Sequence, residues 1–122
     1  MKIHRRIVLL AAVVFFMAGF STQAQDNKNK NIKVLPKSLE IIEVIGNAEK
    51  CQDKKGITVR LRVISDSPVD IRRYASLGRV WMPADFSNQK KGDEITDYTC
   101  NPESSFKFFS RPAGSSDAFP KP

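Results

Sequence analysis

Histidine is all but missing from this sequence. The single copy is His4, close to the N-terminus. If the first 24 residues are removed, as argued below, no side chain with an ordinary pKa near neutrality remains. Ser-His-Asp triads, Cys-His nucleophiles and zinc sites built on imidazole are then excluded. Cysteine is nearly as scarce: Cys51 and Cys100 are the only two, and no Cys-x-x-Cys spacing marks a redox-active pair. Residues 7–20 (IVLLAAVVFFMAGF) make one apolar run of 14 positions, short of the roughly 20 that span a bilayer. No internal repeat is present.

The N-terminus carries the most specific pattern. Lys2, Arg5 and Arg6 precede the apolar run, and Ser21-Thr22-Gln23-Ala24 offers a small-x-small site before Gln25. This is the tripartite layout of a cleaved export signal; a retained membrane anchor is the rival reading, and the run is too short for it. No cysteine near the site invites lipid attachment. The chain is therefore expected in the periplasm or outside a bacterial-type cell. Cleavage leaves 98 residues and lowers the formal charge from +7 to +4. That length predicts one small domain. The residual charge predicts mild attraction to anionic envelope components rather than nucleic-acid binding. In an oxidising compartment the cysteine pair is expected as a disulfide. Closing a loop of about 50 residues would contribute roughly 4 kcal/mol in the chain-entropy model.

Residues 25–32 (QDNKNKNI) are polar and predict a flexible tail. Residues 33–111 are expected to form the domain, and residues 112–122 (PAGSSDAFPKP) a Pro/Ser-rich coil pinned by Phe119. Inside the domain the dominant period is two. Ile57, Val59, Leu61 and Val63 alternate with Thr58, Arg60 and Arg62, the strongest strand pattern in the chain. Val80, Met82, Ala84 and Phe86 alternate with Trp81, Pro83 and Asp85, and Pro83 suggests an edge. Residues 69–75, 94–100 and 106–110 are shorter strand candidates. In residues 39–45 (LEIIEVI) alternation fails at Ile41-Ile42. A bulged strand is favoured there over a short helix capped by Ser38 and ended by Gly46. Six or seven short strands predict an all-β protein, a small antiparallel β-sandwich, Ig-like or similar, with one disulfide.

Three constellations could carry function. Tyr98-Thr99-Cys100 places a tyrosine two residues before a cysteine, as in the tyrosine corner of immunoglobulin domains. Trp81, however, stands 30 residues after Cys51 and 19 before Cys100. In immunoglobulins the tryptophan lies much nearer the first cysteine, so family membership is not implied. A second group joins Trp81, Tyr74, Phe106, Phe108 and Phe109 with Arg60, Arg62, Arg72, Arg73, Lys107 and Arg111. Phe106 and Phe108 share the apolar parity and belong to the core. Trp81 and Phe109 fall on the opposite parity and suit a surface that stacks and binds anions. Third, Asp93, Glu94 and Asp97 gather near a turn, without the ligand number a calcium loop needs.

No cofactor or metal is expected, nor an enzyme. Paired carboxylates across a cleft, as glycoside hydrolysis needs, have no visible placement. The expectation is an exported, non-catalytic β-domain that binds another envelope protein or an anionic ligand, as an accessory, inhibitor or immunity-type protein. The alternative is a structural subunit of a surface or secretion assembly. A strand edge near Pro83, or at residues 106–110, could accept a partner strand.

Overall fold

Alternating apolar residues need a second layer to cover them, and this chain supplies it with a second sheet. The computed structural model describes residues 30–122. The expected leader and most of the polar tail lie outside the described residues. Among the described residues seven strands follow in order: β1 (Ile32–Val34), β2 (Leu39–Ile45), β3 (Ile57–Val63), β4 (Val69–Leu77), β5 (Val80–Gln89), β6 (Glu94–Thr99) and β7 (Phe106–Pro112). They form a four-stranded sheet, β1-β7-β4-β5, and a three-stranded sheet, β2-β3-β6. No α-helix occurs among the described residues.

The inward positions of β3 (Ile57, Val59, Leu61 and Val63) are all buried. They pack with Leu39, Ile95, Ile71, Phe106 and Phe108 in one core. β2 is a strand, and its register shifts between Ile41 and Glu43. That bulge sets Glu40 opposite Arg62 and Glu43 opposite Arg60, so both acids meet arginines on the outer face while Leu39 stays in the core and Ile41 and Val44 pack against it.

The first two strands are one run that changes sheets. β1 lies parallel to β7, with Phe106 N–H donating to the Asn31 carbonyl at 2.8 Å. After Pro36 the chain crosses over: Ile64 N–H donates to the Ser38 carbonyl at 2.8 Å, and the Ser38 and Ser110 hydroxyls bond at 2.8 Å. Two sequence expectations change here. Ile32, placed in the tail, is buried in β1. Residues 106–110, considered as an edge, lie in β7 between β4 and β1. The physical reason is common to both: one apolar side chain at Ile32 suffices to seat a short strand on an otherwise open ladder. β7 also continues through Arg111 and Pro112 before the coil begins.

The disulfide forms between Cys51 and Cys100, whose Cα atoms are 5.4 Å apart. It ties the loop before β3, a 3-10 turn at Gln52–Lys54, to the residue after β6. The backbone passes so close beneath it that a Cβ at Gly56 (φ +148°) would lie 2.1 Å from the Thr99 carbonyl oxygen. Only glycine fits.

Candidate binding site

On β4 the odd residues point inward and the even ones outward, which divides the candidate residues between surfaces. The outward set, Asp70, Arg72, Tyr74 and Ser76, faces Arg111, Phe109 and Lys107 on β7 and Asp85, Pro83 and Trp81 on β5. Trp81, Phe109, Arg72, Lys107 and Arg111 therefore do come together, on the outer face of the four-stranded sheet. The Lys107 ammonium sits 4.5 Å over the Trp81 ring. Tyr74 and Phe109 meet edge to face at 5.9 Å. Arg72 grips Asp85 through Nε and Nη2 at 2.6 and 2.9 Å.

These contacts polarise the charges. Hydrogen bonding to Asp85, and secondarily to Tyr74, raises the Arg72 pKa, and the same pair lowers the Asp85 carboxyl. Asp70 is lowered chiefly by the N–H of Asn88, then by those of Gly114 and the Arg111 side chain, against an opposing effect of burial. Its carboxylate thus gathers the end of β5 and the turn after β7 onto β4 at 2.9–3.4 Å.

Residues 113–122 have no ladder partner but fold back over this face. Phe119 lies against the Arg72 and Arg111 guanidiniums, 4.8 and 4.4 Å from its ring centroid. The Tyr74 hydroxyl donates to the Pro120 carbonyl at 3.2 Å, and Arg111 donates to the Asp117 carbonyl. Each arginine–ring contact is worth about 0.5–1 kcal/mol at an exposed site. Ordering one backbone residue costs about 1–2 kcal/mol, so the seat is shallow.

Arg60 and Arg62 are elsewhere. They stand on the outer face of the three-stranded sheet, between Glu40, Glu43 and Glu94 at 3.1–3.8 Å. This ladder of three acids and two arginines is a solvated face, remote from Trp81. Asp93, Glu94 and Asp97 do not converge: Asp93 accepts from Lys90 N–H, Glu94 meets the arginines, and Asp97 pairs with Arg73. Among the described residues no cluster of three His, Cys, Asp or Glu side chains could hold a metal ion. Nor does any helix among them have the length and apolarity to cross a membrane. The tyrosine-corner geometry is not made. Tyr98 is exposed with Lys50 5.9 Å over its ring, and Trp81 faces away from the core.

A site not foreseen in the sequence lies on the side where β5 and β6 are both edges. Four strands face three, and β5 overhangs. Leu77, Val80 and Met82 have inward parity but are 60%, 58% and 48% exposed. Leu77 and Met82 line a groove of about 640 Å³ together with Ala75, Thr99 and Asn101, and Val80 pairs with Leu77 beside it. Arg73 and Asp97, 14% and 15% exposed, form an ion pair across its floor. Arg73 also donates to the Met82 carbonyl at 2.8 Å.

Both edges here are blunted. Because Ser76 N–H bonds the Ser105 carbonyl, even positions of β4 serve β7 and odd ones serve β5. The main-chain groups of Trp81, Pro83 and Asp85 then face the open side, where Pro83 removes a donor. On β6 the Asp97 carboxylate occupies the Tyr98 N–H at 2.8 Å. One signal for this site was in the sequence: Arg73 shares the parity of Val69, Ile71 and Ala75, an arginine on an apolar face.

Comparison with protein-family models, curated proteins and solved structures returned no match.

Proposed function

We propose that this chain is exported into the envelope of a bacterial-type cell, loses its leader and acts there as a non-catalytic domain that binds another protein. The observation that carries the reading is the overhang: three large apolar side chains left in water beside a groove. A patch of this kind on a small domain marks an interaction site. An extended partner segment laid along the groove would bury Leu77, Val80 and Met82. It would use the free main-chain groups of Trp81 and Asp85 for part of a ladder. The export half of the reading rests on the leader pattern and on a disulfide suited to an oxidising compartment. The non-catalytic half rests on the lack of histidine beyond residue 4 and on carboxylates engaged by arginines and main-chain donors. An Ig-like kinship belongs to the proposal through the two-sheet architecture and the parallel β1–β7 pairing alone.

The test is affinity capture from envelope extracts at low and moderate salt, with the natural chain and with Met82→Lys. The expected result is a specific protein retained at both salts by the natural chain and lost by the variant. Retention that vanishes at moderate salt would point to an anionic ligand instead. Recovery of no specific partner, or equal recovery by both chains, would overturn the reading.

A second reading, an accessory subunit of a surface or secretion assembly, is favoured by the length of the free edge, since β5 runs ten residues. It predicts co-purification with a large complex. A strictly monomeric chain confined to the soluble periplasmic fraction would count against it.

A further inference from the structure

Tyr74 points away from the core and is nonetheless only 8% exposed. Residues 113–122 are among what covers it, with the Pro120 carbonyl on its hydroxyl. We propose that this outer face is a binding site for an extended protein segment in which an aromatic residue is followed by proline. Residues 117–122 occupy it as an intramolecular stand-in for that ligand.

The site has three recognition elements, each from a strand. Arg72 on β4 and Arg111 on β7 present their guanidiniums to one ring, 4.8 and 4.4 Å from its centroid. A ring has the negative faces that such cations favour, and an aliphatic side chain does not. Asp85 and Asp70 hold these arginines in place from neighbouring positions. The Tyr74 hydroxyl, two residues along from Arg72 on the same face, supplies a donor for the carbonyl next after the ring-bearing residue. Proline there keeps the segment extended and has no N–H to leave unpaired against the sheet.

The occupant is attached in a manner that suits exchange. After the bonds of Ala113 and Gly114 to β4 and its preceding residue, the chain passes through Ser115 and Ser116 with no ladder. From there on it is held by side-chain contacts. A segment tethered over so short a span has an effective concentration in the millimolar range. It excludes weak competitors and yields to a partner that adds contacts of its own. This site is distinct from the open-side groove, and the inference stands without that reading.

The experiment titrates the full chain with a synthetic peptide Asp-Ala-Phe-Pro-Lys-Pro, following backbone and arginine side-chain NMR signals. Phe119→Ala vacates the slot. Phe119→Leu, which keeps apolar bulk without a ring, replaces it should the alanine variant lose amide dispersion. The expected result is saturable binding by the variant, at least tenfold tighter than by the natural chain, with shifts at Arg72, Tyr74 and Arg111. Replacing phenylalanine in the peptide by alanine should abolish binding, and Tyr74→Phe in the Phe119→Ala background should weaken it severalfold. Equal binding by variant and natural chain, or no binding by either, overturns the proposal. So does a natural chain that dimerises while Phe119→Ala stays monomeric, because the occupant would then be a second copy. Neither Leu77 nor Met82 is involved, so failure here leaves the open-side groove untouched, and Met82→Lys should titrate like the natural chain.

Discussion

The two lateral sides of this sandwich are held by different physics. On one side the chain itself crosses between sheets, and the core there is packed without exposure: Leu39, Val63, Phe106 and Phe108. On the other side, among the described residues, β5 and β6 have no strand beyond them. There the structure relies on discrete devices. A disulfide ties β6 to the loop before β3, Arg73 reaches across to Asp97, Pro83 blunts one edge, and the Asp97 carboxylate blunts the other. Packing is non-directional and hard to perturb partially, whereas discrete devices can be removed one at a time and leave the surface around them accessible. A protein that must present a groove without aggregating through its edges needs that second arrangement.

The sharpest contrast should come from the packed side. Phe108→Ala removes a fully buried ring stacked at 6.1 Å on Phe106 and should cost about 3–5 kcal/mol. Urea unfolding measures it; a loss below about 1 kcal/mol would mean the packed side is not where stability resides. Replacing both Cys51 and Cys100 by alanine comes next. The bridge closes a separation of 49 residues, so about 4 kcal/mol is expected from denatured-state entropy. That loss should be accompanied by faster exchange of β6 amides than of β7 amides. Uniform acceleration across both strands would deny the disulfide its local part on the open side.

Arg73→Met tests the ion pair. It keeps the apolar stem but leaves the Asp97 carboxylate, 15% exposed, without its cation. The cost should be about 1–3 kcal/mol. Asp97→Asn added to it should recover part of that loss, since neighbouring sites are not additive.

What alternation and the cysteine count dictate was legible in the sequence, and what depends on sheet order was not. The span of β3, and of β2 with its bulge, follows from apolar period and from the single break at Ile41-Ile42. The pairing of Cys51 with Cys100 follows from there being only two. Period also assigned Trp81 and Phe109 outward, where they lie. It could not say how many strands face one another, and so Val80 and Met82, correct in parity, are exposed. Nor could it separate Arg60 and Arg62 from Arg72 and Arg111. All four alternate with apolar neighbours or lie beside them, and only the sheet order shows that they stand on opposite outer faces. Ile32 was hidden for another reason: a three-residue strand carries too little pattern to stand out from a polar tail.

Acid should act on the four-stranded sheet through two carboxylates. Asp70 and Asp85 both have pKa values held below their ordinary 3.8 in the folded chain, Asp70 mainly by the Asn88 N–H and Asp85 mainly by Arg72. A depressed folded value means that the stabilisation is fully present above the ordinary pKa. It is lost as pH falls through the lower folded one. The melting temperature should therefore change little on this account between pH 8 and 5 and decline below about pH 4. Asp70→Asn should flatten part of that decline. Asp85 is about half exposed and Asp70 mostly covered, so solvent screens the first more than the second. An unchanged acid slope in the variant would show that Asp70 is not one of the groups that titrate with unfolding.

The smallest stability effect should fall on the residues that matter most for the proposed function. Leu77 and Met82 are about half exposed or more, so little apolar area is lost to water on replacing either by lysine. Substitutions at such positions are usually within about 0.5 kcal/mol. Met82→Lys should leave the melting temperature within a few degrees of the natural chain, since about 1 kcal/mol corresponds to 4–8 °C at this size. If the overhang were instead part of the core that closes only in solution, the same substitution would bury a charge and destabilise by several kcal/mol. A thermal melt of one variant thus decides whether the apolar strip on β5 is surface kept available or core left open.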